Sequence, residues 1–143
     1  MTRAPIDFNP LRNALSQLNE AVVFWQDLAQ GDPLKPHLRS AVIQSFEFTY
    51  ELSLRTLRRV LVERSESADL IRDLSFSDLI RSALGAGLPT DLLAWRRWRE
   101  LRNSTSHTYD EERAQAVAIE VPEFAAQITD LLDALKLLAA GSD

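Results

Sequence analysis

Within nine residues, Arg102-Asn103-Ser104-Thr105-Ser106-His107-Thr108-Tyr109-Asp110 gathers a permanent cation, a histidine, a phenol and a carboxylate. A histidine titrates near working pH and can take the proton from a ribose 2′-OH. An arginine can stabilise the charge that develops on phosphate oxygens. Together Arg102 and His107 form a minimal phosphodiester-cleaving set in which the 2′-OH is the nucleophile, so the substrate is RNA rather than DNA. Such chemistry calls for no metal and no cofactor. It does call for both a base and an acid for the leaving oxygen, and the only other histidine, His37, lies near the start of a helix in an unremarkable context. A two-fold homodimer that brings two copies of His107 to one cleft supplies both groups. Alone, an Arg-x4-His pair is a weak signal in a chain so rich in arginine.

Geometry constrains the pair. On one continuous helix, five residues place Arg102 and His107 about 140° apart and about 7.5 Å along the axis. They then cannot converge on one small group. The hydroxyls of Ser104, Thr105 and Ser106 compete with the helical backbone, so the helix is expected to stop near Asn103. Arg102 then sits at a helix C-terminus and His107 in the loop that follows, where both can reach one cleft. Trp95, Trp98 and Arg102 share a face by spacing, which leaves Arg102 two fates. It points inward or into a cleft, or it snorkels out from a packed core.

The elements that must hold this segment read as helices. Asn9-Pro10 signals a first start, with Asn9 as the cap, and Leu11, Leu15, Leu18, Val22 and Trp25 form its stripe. Gly31-Asp32-Pro33 ends it. A second helix is expected from about Leu34 to Arg64, with Ile43, Phe46, Tyr50, Leu54, Leu57 and Leu61 on one stripe. Val42, Phe48 and Leu52 widen its apolar arc, as befits a central helix. Glu51 is placed to pair with Arg55. Glu47, between Phe46 and Phe48, is the carboxylate expected to be partly buried against an arginine. Ser75 and Asp78 resemble a capping box for a short third helix that ends near Gly85 and Gly87. Thr90 is the expected cap of the fourth and Asp110 that of the fifth, which runs to about Glu120. Val121-Pro122 then imposes a break or kink before a last stripe of Phe124, Ile128, Leu131, Leu135 and Leu138. No stretch alternates with the two-residue period of a strand. The expected fold is all-α, an up-and-down bundle of about five or six helices in a single domain over residues 1–143.

Composition sets the outer limits. A chain of 143 residues can bury roughly 70% of its unfolded surface. Its absence of cysteine excludes disulfides and thiolate zinc sites. Met1 to Asp7 lacks a signal-peptide pattern, and no apolar run is long enough to span a bilayer, so a cytoplasmic location is expected. Net charge is −5, which argues against attraction to nucleic acid over the whole surface. The basic residues are nevertheless clustered, at Arg55, Arg58, Arg59 and Arg64 and again at Arg96, Arg97, Arg99 and Arg102. Each cluster is either a solvated helix face or a phosphate-contacting patch.

Two stretches, WRRWRELRNSTSHTYDEERA (Trp95 to Ala114) and AVIQSFEFTYELSLRTL (Ala41 to Leu57), together resemble the nucleotidyltransferase substrate-binding protein family. That family lies within the HEPN superfamily of small helical bundles, and the similarity of pattern runs from about Leu11 to Leu138. The RN-x3-H-x-Y core and the FE-x-TYEL helix are specific in combination. The resemblance implies a HEPN-like four-helix core and a homodimer in which Arg and His of both subunits line one cleft. It also implies a metal-independent ribonuclease of the toxin type. The implied partner is a separately encoded minimal nucleotidyltransferase, which acts as antitoxin and can adenylylate the motif tyrosine. Carried over, Arg102 and His107 are the catalytic pair, Asn103 a supporting polar residue and Tyr109 the modification site. Glu47 is similar to a family glutamate that helps to orient the site. Leu54 and Phe76 depart from the tryptophan and proline often found in relatives, a matter of packing or of a helix start. Because the family was named for substrate-binding subunits, a non-catalytic subunit that binds nucleotide or substrate is the second implied function. A helical adaptor, with His107 and Tyr109 merely capping a turn, leaves the three motif residues together unexplained.

Overall fold

The computed structural model describes residues 5–141; residues 1–4 of the Met1–Asp7 stretch, and residues 142–143, lie outside the described residues. The described chain is helical throughout, with α1 (Asn9–Asp27), α2 (Lys35–Arg64), α3 (Ala68–Arg72), α4 (Phe76–Gly85) and α5 (Leu92–Ser104). A 3-10 turn (Thr105–His107) leads to α6 (Glu111–Ala118) and α7 (Val121–Ala140). No described residue lies in a strand, and the all-α bundle expected from periodicity is the fold that forms. The six expected helices are present. The five-residue α3 is an addition, formed between the second and third helices expected from the sequence.

Local chemistry explains most boundaries. The Ser75 hydroxyl accepts from the Asp78 amide and Asp110 accepts from the Glu112 amide, so both expected caps form. Two other starts differ from expectation. Asn9 is already helical, and the Asp7 carboxylate accepts from its amide at 3.0 Å. At α5 the cap is Asp91, which accepts from the Leu93 amide at 2.9 Å, while the Thr90 hydroxyl is buried without a hydrogen bond. The carboxylate wins because its charge also complements the helix dipole. Gly31 closes the turn after α1 at φ +88°, a conformation that side chains disfavour. Pro122 lies in the first turn of α7, where its missing N–H costs nothing.

Helix α2 touches every other helix and is the axis of the bundle. Its expected inner stripe is buried except for Leu54, which is only partly covered. Phe48, expected to widen the apolar arc, is instead exposed. A closed ring of aromatic contacts joins α2, α5 and α7. It runs Phe46–Tyr50–Trp95–Trp98–Phe124 and back to Phe46, with centroids 4.9–6.2 Å apart. Three of the contacts are edge-to-face, which adds to area burial. Trp95 and Trp98 therefore fix the inward face of α5 and, with it, the azimuth of Arg102. An Arg97–Glu120 ion pair ties the outer side of α5 to the start of α7. No helix among the described residues is long and apolar enough to cross a membrane.

Candidate functional site

Arg102 emerges in the last turn of α5, four residues beyond buried Trp98. Its side chain is 32% exposed and reaches back onto α2. Nε donates to Glu51 Oε1 at 3.2 Å, and Nη1 lies 3.4 Å from Glu47 Oε2. Nη1 also donates to Thr105 Oγ1 at 3.0 Å, while that hydroxyl donates to the Arg102 carbonyl at 2.7 Å. The guanidinium is thus held from three sides, and Nη2 takes part in none of these contacts. Of the two fates open to Arg102, the structure shows a half-buried cation clasped between helices.

Glu47 is partly buried against an arginine, as its flanking phenylalanines led us to expect. Glu51 differs from expectation, since Arg102 of α5 takes the carboxylate assigned to Arg55. The two glutamates stand one turn apart on α2 and form a two-toothed support for one cation. Their spacing was visible in the sequence, but the distant arginine that joins them was not. Thr105 was missed as well. It is one of three buried polar residues among those described, and its hydroxyl both sets the arginine and closes the helix.

The α5 terminus shows how hydroxyls end a helix. Ser104, Thr105, Ser106 and Thr108 donate to the carbonyls of Glu100, Arg102, Asn103 and Thr105, respectively. These bonds capture carbonyls that a continuing helix would otherwise use. The helix does not turn away at Asn103 but tightens into the 3-10 turn at Thr105. Asn103 and His107 are exposed, and His107 packs edge-on to Tyr109 with ring centroids 6.2 Å apart. Tyr109 is 86% exposed. Within the chain, then, Arg102 engages α2 and His107 engages Tyr109, and no side-chain contact among the described residues joins the two pairs. His37 lies exposed in the first turn of α2.

The other tyrosine has the opposite surroundings. Tyr50 is buried in the aromatic ring beneath the arginine clasp, and its pKa is pushed up to about 12. Burial is the main cause. Glu51 raises it further, and Arg99 and Arg102 act against the shift. At neutral pH Tyr50 is a protonated core residue.

Residues 6–137 match the family model described as nucleotidyltransferase substrate binding protein like. The chain belongs to that family. The match takes in α2, the α5 terminus and the whole of the Arg102–Asp110 segment. This family member is also 37% identical over 136 residues to a probable ribonuclease HepT of Haemophilus influenzae, with 92% of each chain covered. Its fold is similar to that of a solved H. influenzae structure described as a substrate binding domain of a nucleotidyltransferase. There the TM-score is 0.82 at 34% identity, covering 91% of this chain and 99% of the other. The family resemblance read from the motif and the α2 pattern is therefore correct.

Proposed function

We propose that this HepT-like protein is a ribonuclease that cleaves RNA by 2′-OH attack at a cleft between two copies of the chain. The observation that carries the reading is the Arg102–Asp110 segment. A helix-end arginine is pre-positioned by Glu47, Glu51 and Thr105 with Nη2 uncommitted, while Asn103 beside it and His107 and Tyr109 beyond the helix end face solvent. His107 takes the 2′-OH proton, the 2′-oxygen bonds to phosphorus, and Arg102 stabilises the negative charge on the phosphate oxygens. The 5′-oxygen leaves with a proton from the imidazolium of the second copy. The products are a 2′,3′-cyclic phosphate and a 5′-OH. The separation of Arg102 from His107 within one chain supports a site completed by another copy. Asn103, beside Arg102 and exposed, is suited to hydrogen-bond a phosphate or base.

We further assign the protein to a toxin–antitoxin pair whose antitoxin is a separately encoded minimal nucleotidyltransferase. Tyr109 is the switch: its phenolic oxygen displaces pyrophosphate from a nucleoside triphosphate, loses its proton and carries the nucleotidyl group beside His107. The exposure of Tyr109 and its contact with His107 support this role. Cleavage of RNA in the presence of a chelator tests the activity. His107→Ala should lower the rate at least ~10²-fold, the lower figure for losing an acid–base group. Equal cleavage by both proteins points to a contaminating nuclease and removes the proposal.

One observation favours a second reading. Two carboxylates against one arginine leave the clasp formally anionic, which weakens Arg102 as a stabiliser of charge developing on a scissile phosphate. In that reading the protein is a non-catalytic subunit that binds nucleotide or substrate for its nucleotidyltransferase. Co-purification with that enzyme, with tight nucleotide binding and no RNA turnover, would establish it.

A further inference from the structure

We infer that an arginine-lined cavity beside Arg102 holds the phosphodiester backbone of the RNA strand flanking the scissile bond; this rests on the ribonuclease reading. The cavity, about 570 Å³, is walled by Arg55, Arg58, Arg59 and Arg72 over the apolar floor of Leu54 and Val62. Glu51 and Glu63 also line it, and Asp69 pairs with Arg72 at 2.7 Å, so four cations meet three carboxylates, an excess of one positive charge in a chain of net charge −5. One of those carboxylates, Glu51, is the residue that grips Arg102 Nε at 3.2 Å. The cavity and the arginine clasp therefore share a wall.

Three features separate this patch from an ordinary solvated helix face. Arg58 is immobilised: its Nη1 donates to the carbonyls of Ile71, Arg72 and Leu74 at 2.9, 3.2 and 3.0 Å, which ends α3 and fixes one wall of the cavity. Arg55 and Arg59 make no hydrogen bond or ion pair among the described residues, yet stand at i and i+4 on α2. Like charges at that spacing repel each other on a helix, and a phosphate held by both guanidinium groups would relieve that repulsion. Along α2, Glu51 to Arg59 spans about 12 Å, a run of guanidinium groups leading away from Arg102. Guanidinium groups offer paired donors that match phosphate oxygens, and a chain of phosphates can use such a row where a single small anion cannot. The apolar floor of Leu54 and Val62 leaves a surface on which a base can rest.

The test is binding of a fluorescent single-stranded oligoribonucleotide to full-length His107→Ala protein, titrated with salt. In that background, Arg55→Ala/Arg59→Ala should weaken binding about tenfold at about 0.15 M salt. It should also flatten the log–log salt slope by about 1.4, at about 0.7 per single-strand phosphate contact. Arg81→Ala/Lys136→Ala, which removes the same charge elsewhere, should change the affinity by no more than about twofold and leave the slope unchanged. Arg55→Lys/Arg59→Lys should keep the slope. Unchanged binding by the Arg55/Arg59 double variant overturns the inference even if the wild type cleaves RNA. Arginine-dependent binding without wild-type cleavage upholds the cavity and removes the ribonuclease reading instead. Arginine-dependent binding of ATP or inorganic phosphate, with none of the oligoribonucleotide, also overturns it.

Discussion

Tyr50 and Tyr109 carry the same phenol, and their surroundings give them separate uses. Tyr109 stands in solvent against His107, so a partner enzyme can reach its oxygen. Tyr50 is sealed under the Arg102 clasp with its pKa near 12. Co-expression with the cognate nucleotidyltransferase should therefore yield one nucleotidyl adduct per chain, abolished by Tyr109→Phe and retained by Tyr50→Phe. Mass spectrometry of the tryptic peptides decides it, and an adduct on any other residue would remove Tyr109 as the switch. The buried phenol makes its own prediction. Tyr50 ionises near pH 10 when unfolded but only near pH 12 when folded, so unfolding in that window releases a proton. The Tyr50 contribution to stability is full below pH 10 and is lost as pH rises to about 12. Denaturant melts of wild type and Tyr50→Phe across this range should differ in slope, with the wild type falling faster.

Among the elements, the junction of α5 with the 3-10 turn matters most, because Thr105 fixes both the end of the helix and the side chain of Arg102. Thr105→Val keeps the shape and removes both hydrogen bonds, so it should cost about 1 kcal/mol of stability, and leave the Arg102 Nη1 donor short of a partner. If the clasp positions Arg102 for catalysis, cleavage should fall well beyond what that small loss explains, with unchanged far-UV circular dichroism. Cleavage equal to wild type would make the clasp purely structural. What the sequence reveals of this region follows the range of the forces. The caps at Ser75 and Asp110 are legible because donor and acceptor lie within three residues. The serine–threonine run is legible as a helix end for the same reason. At α5, Thr90 and Asp91 are adjacent competitors, and only the charge of Asp91 against the helix dipole separates them. The Glu51–Arg102 bond crosses 51 positions, so it depends on how α2 and α5 pack and no local pattern announces it. Phe48 shows the converse limit: apolar type alone placed it inward, yet the bundle leaves it exposed.

For the whole molecule, the question is how many copies make one site. The aromatic ring of Phe46, Tyr50, Trp95, Trp98 and Phe124 locks α2, α5 and α7 and so fixes the helix end that carries Arg102. Each protomer offers one motif histidine, and cleavage needs a base and an acid. If the two His107 copies of a dimer fill those roles, a dimer with one altered chain lacks half the chemistry. Random mixing of wild type with an equal amount of His107→Ala leaves about one dimer in four with both histidines, so activity per wild-type chain should fall by about half. With a threefold excess of the variant it should fall to about a quarter. A site contained in one chain predicts no fall at all, since each wild-type protomer would work regardless of its neighbour. The mixture must exchange subunits for the contrast to appear, and native mass spectrometry with a mass-tagged variant measures that directly. Exchange with activity proportional to wild-type chain would assign the site to a single protomer, as would a monomer by light scattering at the assay concentration. Activity that follows the square of the wild-type fraction requires both histidines at one cleft.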